Sequence, residues 1–391
     1  MANSILTPTA VTRESLRVAH EKLTFISTTN LSYDDSYAKT GAKIGTALKI
    51  RQPNKYTVRT GKTLNAQDTS ETSVTLTLAT QKGVDMNFSS AELTMEMDDF
   101  SKRILNPAMS VLASTLEYDY LANVTPKVWN GVGTAGTTPN SMLMFGQARA
   151  KLNQNLAPKD NQRYVQINSD AMASMVNAYS ALFQDQMEIK KQYRDGFISR
   201  NSGLDWYENE RIWTLTNGSD HTTVTVNDAS IADGDTALTT AGGSVTAGTI
   251  FTIANVNAVH PETKQDLGYL QQFTMTADAT TSWTFTPAYY ATGANQNVNA
   301  LPVTGAAITL VGSASTAYEQ HLVYHKDAFA FVTADLEMPK GVHFAAQENL
   351  DGLSIRIVRQ YDINNDNIPA RLDILHGYEA IRPEWACRIT G

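Results

Sequence analysis

Between Leu48 and Leu78 apolar and polar residues alternate, the period of a strand with one face against a core. Leu48 and Ile50 precede a Gln52-Pro53-Asn54 turn, Tyr56 and Val58 resume the alternation, and Val74, Leu76 and Leu78 mark a returning strand. The pattern predicts a long hairpin of Thr and Lys with little apolar surface. A two-stranded hairpin is marginal in water by itself. It must lie on its own domain or dock on a neighbour.

Helical spacing flanks this hairpin. Residues 1–30 read as an irregular start and a short, weakly amphipathic helix through Val11, Leu16, Val18, Ala19 and Leu23. Ser89 with Glu92 three residues later forms a capping box ahead of Leu93, Met97, Phe100 and Ile104. Asn106 as cap and Pro107 at the first helical position then start a helix with Met109, Leu112, Leu116 and Tyr120 on one face. After the loop "NGVGTAGTTPN", a helix over 139–157, the strand "RYVQINS" and a helix from Ser169 follow, the last with Met172, Met175, Tyr179 and Leu182 inward. Helices alternating with a strand point to a mixed α/β domain.

At Thr216 the pattern changes. Residues 216–315 hold 20 threonines and nine glycines, and a single base, Lys264, against seven acids. Short alternating runs such as "TVTVN", "TIFTIANV" and "SWTFTP" sit between Gly, Asp and Pro turns, which predicts an inserted β-barrel or sandwich. Strands resume after Ser315, near "HLVYH", "SIRIVRQYD" and "ARLDILHGYEA".

The bulk numbers narrow the class. A chain of 391 residues suggests roughly two to three domains. Hydrophobic content of 42% suffices for packed cores, and 18% charged residues is too few for a disordered chain. The lone Cys387 excludes an internal disulfide framework and any multi-cysteine zinc site. Met1–Ala10 lacks the basic and apolar regions of a secretion signal, and no run of about 18 apolar residues suggests a membrane span. The expectation is a soluble protein made in a reducing cytoplasm, with no membrane partner.

Charge is unevenly placed. Ala38–Thr63 carries Lys39, Lys43, Lys49, Arg51, Lys55, Arg59 and Lys62 and no acid, although the whole chain has net charge -8. Val84–Phe100 carries Asp85, Glu92, Glu96, Asp98 and Asp99 and no base. The two segments are electrical complements. Nucleic-acid binding is the other reading of the basic stretch, but Tyr56 is its only aromatic and offers no stacking platform.

No catalytic constellation emerges. Cys387 stands near Glu384 without a supporting motif, and G-x-S-x-G, G-x-G-x-x-G and phosphate-loop patterns are absent. His321 and His325 would share a face on a helix and could hold zinc there, yet "HLVYHKDAFAFV" is β-branched and aromatic. Asp362, Asn364, Asp366 and Asp373 mimic calcium-loop spacing, but Asn367 stands at the glycine position, so a polar hairpin tip is preferred. The Asn217 sequon has no meaning without secretion. Neither an enzyme nor a cofactor is expected.

Several stretches carry a resemblance: "TPTAVTRESLRVAHEKLTFI", "YDDSYAKTGAKIGTALKIRQPNKYTVRTG", "VTLTLATQKGVDMNFSSAELTMEMDDFSKRILNPAM", "NLAPKDNQR", "VNAVHPETKQDLGYLQQF" and "HKDAFAFVTADLEMPKG". Together they resemble the major coat proteins of P22-like short-tailed double-stranded DNA phages, which have the HK97-like shell fold. The resemblance implies an α+β capsid fold with an inserted all-β domain. By it, 1–30 is an N-terminal arm, 31–88 an extended loop reaching an adjacent subunit, and 89–130 a peripheral domain with a spine helix. Segments 131–215 and 316–355 form an axial domain, 216–315 the insertion, and 356–391 the C-terminal strands of the peripheral and axial sheets. It further implies self-assembly into pentamers and hexamers, several hundred copies per shell, around double-stranded DNA that is not read by sequence. Scaffolding, portal and decoration proteins are the implied partners, the host cytoplasm the place of assembly, and the virion capsid the destination.

Under that resemblance Lys49, Arg51, Lys55, Arg59 and Lys62 are expected to lie on Glu92, Glu96, Asp98 and Asp99 of the neighbouring subunit. Exposed ion pairs contribute only about 0.2–1 kcal/mol each, so charge would set register rather than adhesion. Two alternatives stand beside the capsid reading. One is an encapsulin-type compartment shell. The other is a glycan-binding β domain, with Trp283, Phe285, Tyr289 and Tyr290 stacking on sugars.

Overall fold

The computed structural model describes residues 8–31, 46–64, 66–67, 71–89, 104–180, 200–221, 224–350, 352–364 and 367–391. In chain order, helix α1 (Pro8–Lys22) leads to strands β1 (Thr46–Arg51), β2 (Ser73–Leu78) and β3 (Thr80–Ser89). Helix α2 (Asn106–Val124), strand β4 (Gly131–Gly133), helix α3 (Met142–Gln154), strand β5 (Arg163–Ile167) and helix α4 (Ser169–Ser180) follow. Strands β6 (Asp205–Glu208) and β7 (Thr214–Thr216) precede the Thr-rich segment. That segment contains β8 (Val224–Thr225), β9 (Ala237–Thr239), β10 (Ile250–Val259), β11 (Asp266–Met275), β12 (Ser282–Thr286) and β13 (Ala307–Leu310). The chain ends in β14 (Ala317–His325), β15 (Phe329–Ala334), β16 (Phe344–Leu350), β17 (Leu353–Arg359), β18 (Asn367–Ala380) and β19 (Ala386–Thr390).

These elements divide into two units. The first comprises Met1–Ile50, Ser73–Tyr120 and Phe329–Ile381. Its long strand β18 pairs antiparallel with β15 and β17 along one side and with β3 along the other; β16 completes the sheet beside β17. Strands β1 and β2 pair separately, and Ile50, Leu76 and Leu78 join Ala330, Val332, Leu375 and Ile381 in one apolar cluster. Helix α2 buries Met109, Leu112, Leu116 and Tyr120, the face its spacing predicts, while Val111 and Tyr118 stay exposed. The Tyr120 ring lies 4.8 Å from that of Phe25 and 5.4 Å from those of Phe331 and Tyr378.

The second unit comprises Arg51–Thr72, Leu121–Ala328 and Arg382–Gly391. Its main sheet runs β4-β19-β14-β5-β6, with β7 also on β14; β4 on β19 and β5 on β6 are parallel and the rest antiparallel. Phe145 and Leu152 of α3 and Met172 and Met175 of α4 cover it, packed on Val165, Ile167, Trp206, Val323, Cys387 and Ile389. The Thr-rich segment is a six-stranded sheet in the order β8-β13-β10-β11-β12-β9. Its ends meet: Val226 bridges Thr240, the Asn227 N–H donates to Thr239 O at 2.9 Å, and the Ala241 N–H donates to Thr225 O at 2.9 Å. The result is a closed barrel filled by Phe251, Phe273, Trp283, Phe285 and Tyr289.

One sequence expectation differs from this arrangement. Tyr56 and Val58 lie in no strand. Their alternation is real, but the Gln67 side chain stands where a partner strand would: the Thr57 N–H donates to Gln67 Oε1 at 2.9 Å, and Gln67 Nε2 donates to Thr57 O at 2.6 Å. The chain passes between the two units after Ala328. An all-apolar run such as "FAFV" fits either sheet equally well, so periodicity cannot place that border. The helix expected from Ser89 falls on residues outside those described.

Candidate functional site

The basic stretch forms a long loop, Arg51–Thr72. Its base is closed by the Gln52 N–H donating to Thr72 O at 2.8 Å, and its middle by the Thr57–Gln67 pair. Gly61 turns the tip in the left-handed region at φ 101°, where an L side chain is strained. Lys49, Arg51, Lys55, Arg59 and Lys62 are all exposed. Arg51 is partly answered within the chain, since its Nη1 lies 3.2 Å from Glu71 Oε2. The Arg59 guanidinium donates to Gly61 O and so stiffens the tip. Lys49, Lys55, Arg59 and Lys62 make no ion pair among the described residues.

The same loop carries apolar side chains that the charge pattern concealed. Val58 is 97% exposed, Leu64 81% and Tyr56 60%. Three large apolar groups on one loop among four cations form a surface suited to docking rather than to solvent. Hydrophobic alternation had assigned Tyr56 and Val58 to a strand face, and Leu64 gave no signal at all. The acidic residues expected opposite them, Glu92, Glu96, Asp98 and Asp99, lie outside the described residues. Asp85, from the same acidic segment, stands on β3 across from Arg371 of β18, 4.0 Å from its Nε.

The candidate chemistry resolves into structure. Cys387 is buried in the α3–α4 core, and burial pushes its thiol up to about 12. His321 and His325 sit on strand β14, where four residues span roughly 13 Å, too far to share one metal. His325 Nε2 contacts Asp160 Oδ1 at 3.0 Å, while its Nδ1 accepts the Asp327 N–H at 3.2 Å. Asp362 and Asn364 form the tip between β17 and β18, with Asp362 bridged to Asn367. Asp373 lies inside β18 and takes hydrogen bonds from Arg356 and Arg371, each at 2.8 Å. Among the described residues no group of three or more His, Cys, Asp or Glu is placed to hold a metal. No helix among them is long and apolar enough to cross a membrane.

The sugar-stacking reading loses its platform. Trp283, Phe285 and Tyr289 fill the barrel core, with Phe251 to Trp283 and Phe273 to Phe285 in edge contact at 5.3 and 5.4 Å. Asn217 is likewise buried, its amide donating to Val311 O at 3.2 Å and Ser313 O at 3.0 Å.

The family model described as "P22 coat protein - gene protein 5" matches residues 37–391. No curated protein matches the sequence. Among solved structures, a protein of Mycobacterium phage Che8 is similar at 12% identity and TM-score 0.47, over 92% of this chain and 90% of that one. The capsid of cyanophage P-SCSP1u is similar at 11% identity and TM-score 0.44, over 90% and 84%. The I-domain of the CUS-3 coat protein is 28% identical over 25% of this chain and all of its own, at TM-score 0.21. The assignment rests on the family match, which also disfavours the compartment-shell alternative. With that match spanning residues 37–391, the chain belongs to the P22 coat protein family and is a major capsid protein of α+β fold.

Proposed function

We infer that the chain assembles, without catalysis, into pentamers and hexamers that close as an icosahedral shell around double-stranded phage DNA. Several hundred copies form one shell in the host cytoplasm. A scaffolding protein guides assembly, a portal occupies one vertex, and a decoration protein is accommodated where the phage encodes one. In this reading residues 1–30 serve as the arm, 31–88 as the extended loop, 89–130 as the peripheral segment with α2 as spine, 131–215 and 316–355 as the axial segments, 216–315 as the insertion, and 356–391 as the closing strands.

The observation that carries the subunit contact is the Arg51–Thr72 loop, which presents Tyr56, Val58 and Leu64 among Lys55, Arg59 and Lys62. Its partner is a second copy of the chain. The apolar groups supply adhesion, and the cations choose the acidic segment holding Glu92, Glu96, Asp98 and Asp99. Head-to-tail contacts of this kind close into rings. Because Arg51 is paired with Glu71, the informative reversal is Lys55→Glu with Arg59→Glu. Expressed beside its scaffolding protein, that variant should stay a folded subunit and form no shells under negative-stain microscopy. Normal shells from it would refute the contact.

A further inference from the structure

The hairpin that joins β17 to β18 ends in a turn that shows apolar side chains to solvent. Ile363 is 80% exposed and Tyr361 41%. Between them stands Asp362, its Oδ1 accepting the Asn364 N–H at 2.9 Å. The foot of the turn is fixed by the backbone. The Asp362 N–H donates to Asn367 O at 2.9 Å, and the Gln360 N–H donates to Pro369 O at 3.2 Å. A turn held in this way has little freedom left to lose on binding.

This turn and the Arg51–Thr72 loop are opposite in charge and alike in exposing apolar groups. The loop offers Tyr56, Val58 and Leu64 with Lys55, Arg59 and Lys62; the turn offers Tyr361 and Ile363 with Asp362. Apolar groups set among charge of one sign suit a partner surface that carries the other sign. The cations nearest to the turn in sequence are Arg359, which is half-buried, and Arg371, which donates to Asp373 Oδ1 at 2.8 Å. The place of the turn in the sheet matters as well. Asn367 at its foot pairs with Ser89, the end of β3, and Glu92 follows Ser89 by three residues in sequence. The chain therefore leaves the sheet for its acidic segment beside this turn. Helix α2 has a rival exposed pair, Val111 and Tyr118, but no charge to offer with it: Glu117 is buried, and Asp119 is bound by Lys82.

We propose, on the reading of the Arg51–Thr72 loop as a subunit contact, that the β17–β18 turn of a second copy is the surface that receives it. Tyr361 and Ile363 cover the apolar side chains of the loop, and Asp362 faces its cations. Each copy gives one loop and receives one, a head-to-tail contact.

Crosslinking between copies tests the contact. Cys387, the one native cysteine, is completely buried, so Val58→Cys and Ile363→Cys in the full-length chain supply the reactive pair. Both positions are exposed, and the substitutions should leave the fold intact. Shells assembled with scaffolding protein and treated with a short bis-maleimide should give covalent dimers, trimers and higher multiples on denaturing gels. Shells of either single variant should run as monomers. Shells in which the pair gives no multiples would overturn the proposal. Multiples from Val58→Cys with Val111→Cys would then keep the loop as a subunit contact on α2, whereas normal shells from Lys55→Glu with Arg59→Glu would remove the loop contact itself. Ile363→Lys gives a second measure without crosslinking, since it sets a cation before the cations of the loop. It should melt as the wild-type subunit does and lose most of its shell yield; a full yield would likewise overturn the proposal.

Discussion

The backbone N–H of Phe25 donates to Glu117 Oε1 at 2.6 Å, and that carboxylate is completely buried. Ile26 N–H reaches the same oxygen at 3.5 Å, so a side chain of α2 answers the unsatisfied donors that open the short 3-10 turn Ile26–Thr28. Glu117→Ala strands these donors and should cost about 1–3 kcal/mol. Glu117→Gln keeps an acceptor oxygen and should cost less. Urea denaturation gives the energies. Limited proteolysis should show faster cleavage near Leu23 in the alanine variant, and identical cleavage would show that the contact does not hold this segment.

Gly83 on β3 makes room for a buried charge. A Cβ there would run into Leu372 O and come within 2.6 Å of Asp373 Oδ1. Burial alone would raise the Asp373 carboxyl, but hydrogen bonds from Arg356 and Arg371 hold it below its usual value. Gly83→Ala should therefore push the carboxylate off its arginines and destabilise the first unit by roughly 1–3 kcal/mol. An unchanged urea midpoint would mean that β3 shifts freely along β18.

Acid should loosen the subunit before it protonates most carboxylates. His321 and His376 are buried, and burial lowers both to about 4; Lys82 adds to the effect at His376. Unfolded histidine titrates near 6.5. Below that pH the unfolded chain takes up protons that the folded chain refuses. Stability therefore falls as pH drops from about 6.5 toward 4, by up to about 1.4 kcal/mol per pH unit for each histidine. The urea midpoint should be lower at pH 5 than at pH 7, and His376→Phe should reduce the difference. Equal midpoints in the wild-type chain would contradict this.

The loop can be disarmed without touching the fold. Val58→Ser and Leu64→Ser alter side chains that are almost wholly exposed, so the monomer's melting temperature should move little. Shell yield, followed by light scattering with scaffolding protein present, should fall steeply. A yield equal to wild type would confine the adhesive surface to other parts of the chain.

Much of the architecture was legible because local chemistry repeats a known pattern. Asn106-Pro107 announced α2, and the threonine-rich composition announced an all-β body between Thr216 and Ser315. What escaped was set by partners distant in sequence. Glu117 and Arg388 drew no reading from the sequence, since nothing local reveals a backbone donor 92 residues away or, for Arg388, the carbonyl of Gly248 140 residues away. Tyr56 and Val58 kept strand periodicity without a strand to pair with. In the loop the cations were visible, but Val58 and Leu64 became informative only when their exposure was known.

The closure of the barrel through Val226 and Thr240 has a meaning for crowding. Thr-rich, apolar strands with open edges invite neighbouring copies to pair with them. In a shell each copy meets its neighbours at very high local concentration. Because β8 and β9 meet, the two strands that would otherwise end the sheet pair with each other, and neither is left for a neighbouring copy to extend into a fibre.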